Sequence, residues 1–120
     1  MSEYISIRKD VLEKLEAHIS EIRVRFGVST IGIFGSVARG EDTAESDVDV
    51  LYLFEENRGD LFEFVAFHEY LEELFGRNVD LVSLEYIDQH LKPYIQADAL
   101  LYGQELLRYE GRFCLSQPYF

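Results

Sequence analysis

Residues 29–54 begin Ser29-Thr30-Ile31-Gly32-Ile33-Phe34-Gly35-Ser36, continue through the ten residues Val37 to Ser46, and end Asp47-Val48-Asp49-Val50-Leu51-Tyr52-Leu53-Phe54. The first run is short, β-branched and apolar, and stops at Gly-Ser, a pair suited to a tight turn. Val37 to Ser46 reads as a turn or two of helix followed by a loop. Asp47 to Phe54 is the strongest strand in the chain, closed by the polar loop Glu55-Glu56-Asn57-Arg58-Gly59. The two strands are expected to pair.

Two carboxylates open that second strand although Asp is disfavoured in strands. Successive strand residues face opposite sides, so Asp47 and Asp49 share one face while Val48 and Val50 share the other. Side by side, they can converge on one hard cation. Magnesium takes oxygen ligands and pairs one or two carboxylates with substrate phosphates and water. A third acid, Asp80, lies in the apolar run Val79-Asp80-Leu81-Val82. On a neighbouring strand it could hold a second ion roughly 3.5–4 Å from the first, or take the proton of an attacking hydroxyl. Gly35 lets backbone approach a phosphate, and Ser36 offers a hydroxyl and N–H groups to it. Arg39 could add a charge-assisted bond to the same phosphates or face the acceptor.

Outward from this stretch, Val11, Leu12, Leu15, Ile19 and Ile22 recur at helical spacing, predicting an amphipathic helix from Ile7 to Arg25 that Phe26-Gly27 ends. Asp60 and Glu63 form a capping box for a second helix reaching Phe75. Its inner face is expected to carry Leu61, Phe64, Val65, Leu71, Leu74 and Phe75, with Gly76 as the stop. Asn78 to Ser83 predicts a third strand, Glu85 to Lys92 and Tyr94 to Asp98 two helical pieces joined at Pro93, and Leu100-Leu101-Tyr102 an edge strand. One domain spans residues 1–103, and the segment 104–120 reads as a tail that docks a partner or a second copy.

Composition narrows the function. The 120 residues include nine Phe and eight Tyr and carry 23 acidic against 11 basic side chains, a formal charge of −12. That balance argues against independent binding to nucleic acid, which needs clustered Lys and Arg. It suits a basic protein, a cationic small molecule or a metal complex. A single cysteine, Cys114, precludes an intrachain disulfide and fits a reducing compartment. No apolar run approaches the ~20 residues of a membrane span, and residues 1–10 lack a signal-peptide stretch, so a cytoplasmic protein is expected. Gly-x-x-x-x-Gly-Lys, Gly-x-Gly-x-x-Gly and His-Glu-x-x-His motifs are absent, and His18, His68 and His90 stand isolated on predicted helices.

With these residues in view, Gly35-Ser36-Val37-Ala38-Arg39-Gly40-Glu41 followed by Asp47-Val48-Asp49 resembles the signature of the minimal nucleotidyltransferases, within the DNA polymerase β-like superfamily. The likeness runs from about Val28 to Gly103. It implies an α+β fold, a small mixed β-sheet with helices packed on it. It also implies a nucleotide over Gly35-Ser36, with magnesium ions, two in number, on Asp47, Asp49 and Asp80. Many members of that family are antitoxins paired with a HEPN ribonuclease, and the implied reaction moves AMP from ATP to a tyrosine hydroxyl of that toxin. A binding-only antitoxin and a small-molecule transferase of the aminoglycoside type are the alternatives. No extra domain is expected to hold an acceptor, so the acceptor is expected to bring its own surface.

Overall fold

The computed structural model describes residues 3–86, 90, 93, 99–103 and 113–114. In chain order these form α1 (Arg8–Phe26), β1 (Val28–Phe34), α2 (Gly35–Arg39), β2 (Val48–Phe54), α3 (Leu61–Phe75), β3 (Val79–Ser83), a single 3-10 turn (Leu84–Tyr86), β4 (Leu100–Gly103) and β5 (Phe113–Cys114). The predicted helices at Glu85 to Lys92 and Tyr94 to Asp98 lie outside the described residues, apart from the 3-10 turn, His90 and the Pro93 joint.

The strands make one mixed sheet in the order β3-β2-β1-β4-β5. β1 runs antiparallel to β2 and β4, whereas β2 and β3 are parallel. A parallel pair needs a long crossover, and α3 supplies it. β5 pairs with β4, so the sheet takes in two residues from the segment read as a tail.

Register assigns the two faces. Ile31, Ile33, Val48, Val50, Val79 and Leu81 share the face against which α1 and α3 pack. Val11, Leu15 and Ile22 of α1 and Phe67 and Leu71 of α3 are fully buried there. Burying a side chain of this size is worth roughly 1.5–3 kcal/mol, so this face dominates the fold's stability. On the other face lie Phe34, Asp49, Leu51 and Asp80, the one that carries the acids.

α3 is capped as its sequence requires. Asp60 Oδ1 accepts from the Glu63 amide at 2.8 Å, while Glu63 Oε1 accepts from the Gly59 amide at 2.7 Å. Gly76 ends the helix at φ 66°. The predicted inner face is corrected at its start: Leu71 and Phe75 are buried as expected and Leu74 packs beside them, but Leu61 and Val65 are exposed and Phe67 is buried in their place. Val65 and Phe67 are about 200° apart around a helix at 3.6 residues per turn, so both cannot face the sheet. Packing against Phe26, whose ring centroid is 5.7 Å from that of Phe67, selects the latter.

Candidate active site

Strand direction gathers the predicted residues at one end of the sheet. β1 arrives there and hands over to Gly35, with Phe34 paired to Asp49 across the antiparallel ladder. β2 departs from the same end, and in the parallel ladder Asp49 lies directly opposite Asp80. Asp47 immediately precedes β2. Gly35, Ser36, Asp47, Asp49 and Asp80 therefore come from three adjacent strand ends, two of them the centre of the sheet.

Gly35 has φ +73°, in the left-handed region that costs an L side chain roughly 1–2 kcal/mol. A Cβ at this position would also run into Oδ2 of Asp49. The missing side chain thus makes room for a carboxylate, a use of this glycine that its sequence context did not disclose. The five-residue α2 that follows closes on Gly40, where φ is 74°.

Asp49 is half-buried and its pKa is pushed up from 3.8 to about 6. Burial is the largest cause, followed by the charges of Asp80 and Asp47, with Arg39 partly offsetting them. Asp47 and Asp80 are exposed. Arg39 is exposed too and its Nε donates to Glu41 Oε1 at 2.8 Å, so it borders the acids electrostatically while engaged with its own loop.

Among the described residues, no three of His, Cys, Asp and Glu close around a point as a preformed metal cage would. The donor set nonetheless fits magnesium, a hard cation that takes one or two carboxylates and completes its shell from phosphates and water. A half-buried carboxylate facing two others, offset only in part by Arg39, would gain from the counter-charge that such a cation provides. The histidines are occupied elsewhere, with His18 Nδ1 2.9 Å from the Lys14 carbonyl and His68 Nε2 2.8 Å from that of Val79.

Sequence reasoning passed over Asp42. In the loop between α2 and β2, it is only 7% exposed. It accepts hydrogen bonds from the Tyr4 hydroxyl, the Ser6 hydroxyl and the Ile7 amide. Burial would raise its pKa, but the bonds from Ser6, Tyr4 and Ile7 outweigh that and hold it below the ordinary carboxylate value. One acid among 23 gives no local signal, since its partners lie more than thirty residues away.

A mixed sheet that brings Gly-Ser and three acids to one end suits a nucleotide-handling transferase, and comparison with known proteins supplies the family. The chain belongs to the nucleotidyltransferase-domain family, whose model matches residues 12–106. It is 54% identical over 68 residues to the protein adenylyltransferase MntA of Thermococcus cleftensis, covering 57% of this chain and 68% of that one. A solved structure assigned as a minimal nucleotidyltransferase superposes with a TM-score of 0.64 at 35% identity, over 77% of this chain and 92% of the other. A toxin–antitoxin crystal structure with AMP-PNP shares the fold at a TM-score of 0.59 and 22% identity, over 75% and 74%. The expected α+β fold with a small mixed sheet is thereby borne out, and the protein is a nucleotidyltransferase. Among the described residues, no helix is long and apolar enough to cross a membrane.

Proposed function

We propose that the protein transfers AMP from magnesium-bound ATP to a hydroxyl of a partner protein, the tyrosine of a HEPN ribonuclease toxin, and neutralises that partner as its antitoxin. The observation that carries the site is the register that sets Asp80 opposite Asp49 while the Asp49 carboxylate packs on Gly35. The MntA relative is named for protein adenylylation, and the surplus of acidic side chains suits a basic partner.

Each residue then has a role. Gly35 and Ser36 receive the triphosphate, with Arg39 beside it. Asp47 and Asp49 hold magnesium, which supplies Lewis-acid polarisation of the phosphoryl oxygens when bound. Asp80, exposed next to Asp49, accepts the proton of the acceptor hydroxyl. The hydroxyl oxygen forms its bond to the α-phosphorus, the bond from that phosphorus to the bridging oxygen breaks, and pyrophosphate leaves. Asp47 and Asp80 are exposed at this strand end, which lets an acceptor on another protein approach.

Co-expression with the partner separates catalysis from simple covering. Wild type is expected to restore growth, and a chain carrying both Asp47→Asn and Asp49→Asn to fail while still folding. Full protection by the double variant would overturn the catalytic reading in favour of a binding-only antitoxin.

A further inference from the structure

We propose that Arg77 is a positioning residue which, through Tyr4 and Asp42, fixes the loop of residues 40–46 and thereby delivers Asp47 to the site. This rests on the reading of Asp47 given above. The loop joins α2 to β2, belongs to no helix or strand, and is exposed along most of its length. Such a segment opens readily unless tied down. Local bonds, from the Glu41 amide to the Ser36 carbonyl and between Thr43 and Ser46, shape its turns, but the ties that anchor it to the rest of the fold come from far away in the sequence.

Arg77, between α3 and β3, holds it most directly. Nη1 donates to the carbonyls of Thr43 at 3.1 Å and Ser46 at 2.9 Å, and Nη2 donates to the Tyr4 hydroxyl at 2.8 Å. The guanidinium carbon also stands 5.7 Å from the centroid of the Tyr4 ring. Tyr4 in turn donates to the buried Asp42. Arg8 adds a bond from Nε to the Ala38 carbonyl at 2.8 Å, at the loop's other end.

Position makes this more than a surface bond. The Ser46 carbonyl belongs to the peptide that carries the Asp47 nitrogen, so Arg77 grips the plane just before that acid. On the far side, the Val48 amide donates to the Asn78 carbonyl at 2.9 Å. Two successive residues, Arg77 and Asn78, thus hold the backbone on either side of Asp47, and Asp80 follows two residues later. One short segment carries one acid of the site and sets another. A guanidinium can donate to three acceptors in a fixed fork, a geometry that an ammonium does not reproduce.

The test combines hydrogen exchange on the free protein with titration of ATP, each in EDTA and in magnesium. Arg77→Ala is expected to speed amide exchange across residues 41–48 by about tenfold or more while leaving residues 61–75 unchanged. It should weaken magnesium-dependent ATP binding by about tenfold and leave metal-free binding as it was, because the Gly35-Ser36 turn is untouched. Arg77→Lys should resemble Arg77→Ala, and Tyr4→Phe should fall between Arg77→Ala and wild type in both measurements. Unchanged exchange across residues 41–48, or equal losses of metal-free and magnesium-dependent affinity, would overturn the proposal. A wild type without magnesium-dependent ATP binding would overturn the reading of the site instead, leaving the exchange result to decide on the loop.

Discussion

Replacing Asp49 by Asn should stabilise the fold while abolishing its function. Burial and the neighbouring acids push the carboxyl up to about 6 in the folded protein from an ordinary 3.8, a change in proton affinity worth ~3 kcal/mol. That value is a ceiling, and because Asp49 is only half-buried, solvent screens it to about 1–2 kcal/mol. The sign follows from linkage, because the folded state binds the proton more tightly than the unfolded chain. Stability from this group is fully present below about pH 4 and is lost as the pH rises through about 6. At pH 8 wild type bears the whole penalty and Asp49→Asn bears none. For a domain of this size ~1 kcal/mol corresponds to about 4 °C in Tm, so thermal unfolding by circular dichroism in EDTA should show a gain of about 4–8 °C at pH 8. At pH 4 the gain should shrink towards zero. A variant no more stable than wild type at pH 8, or an equal gain at both pH values, would refute the claim that the acids burden the fold.

Three further outcomes are expected. Gly35→Ala combines the backbone cost of φ +73° with a collision against Asp49, so a loss of about 2 kcal/mol or more in urea unfolding should accompany weakened ATP binding. Magnesium-dependent ATP affinity, measured calorimetrically from pH 5 to 8, should rise as Asp49 deprotonates and level off above about pH 6, and a flat profile would remove Asp49 from the metal site. Asp80→Asn should keep magnesium-dependent ATP binding yet lower transfer by at least about a hundredfold, whereas loss of binding would make Asp80 a metal ligand.

The sheet's centre was legible because its signals are local. Asp47 to Phe54 is an apolar run bounded by polar residues, and Gly35-Ser36 ends the preceding strand, so both elements and their pairing followed from sequence. The helical spacing of Val11, Leu15, Ile19 and Ile22 likewise found α1. Asp80 could be placed on a strand, but whether β3 would lie parallel to β2 depends on the course of α3, and only that choice sets Asp80 opposite Asp49. α3 has apolar side chains on several sides near its start, so periodicity found Leu71 and Phe75 in its later turns but could not choose between Leu61 or Val65 and Phe67 in its first ones. The network of Tyr4, Asp42 and Arg77 was invisible for a different reason. Its bonds join residues 38 and 73 positions apart, and no residue in it departs from what an exposed polar segment would contain.

The reaction assigned to the end of β1 and β2 is nucleotidyl transfer. It is tested most directly by incubating the protein and its partner with magnesium and ATP labelled at either the α- or the γ-phosphate. Label from the α-phosphate, and none from the γ-phosphate, should appear on the partner, with pyrophosphate released and all labelling lost in Asp49→Asn. Transfer of the γ-label, or α-labelling that survives Asp49→Asn, would contradict the account.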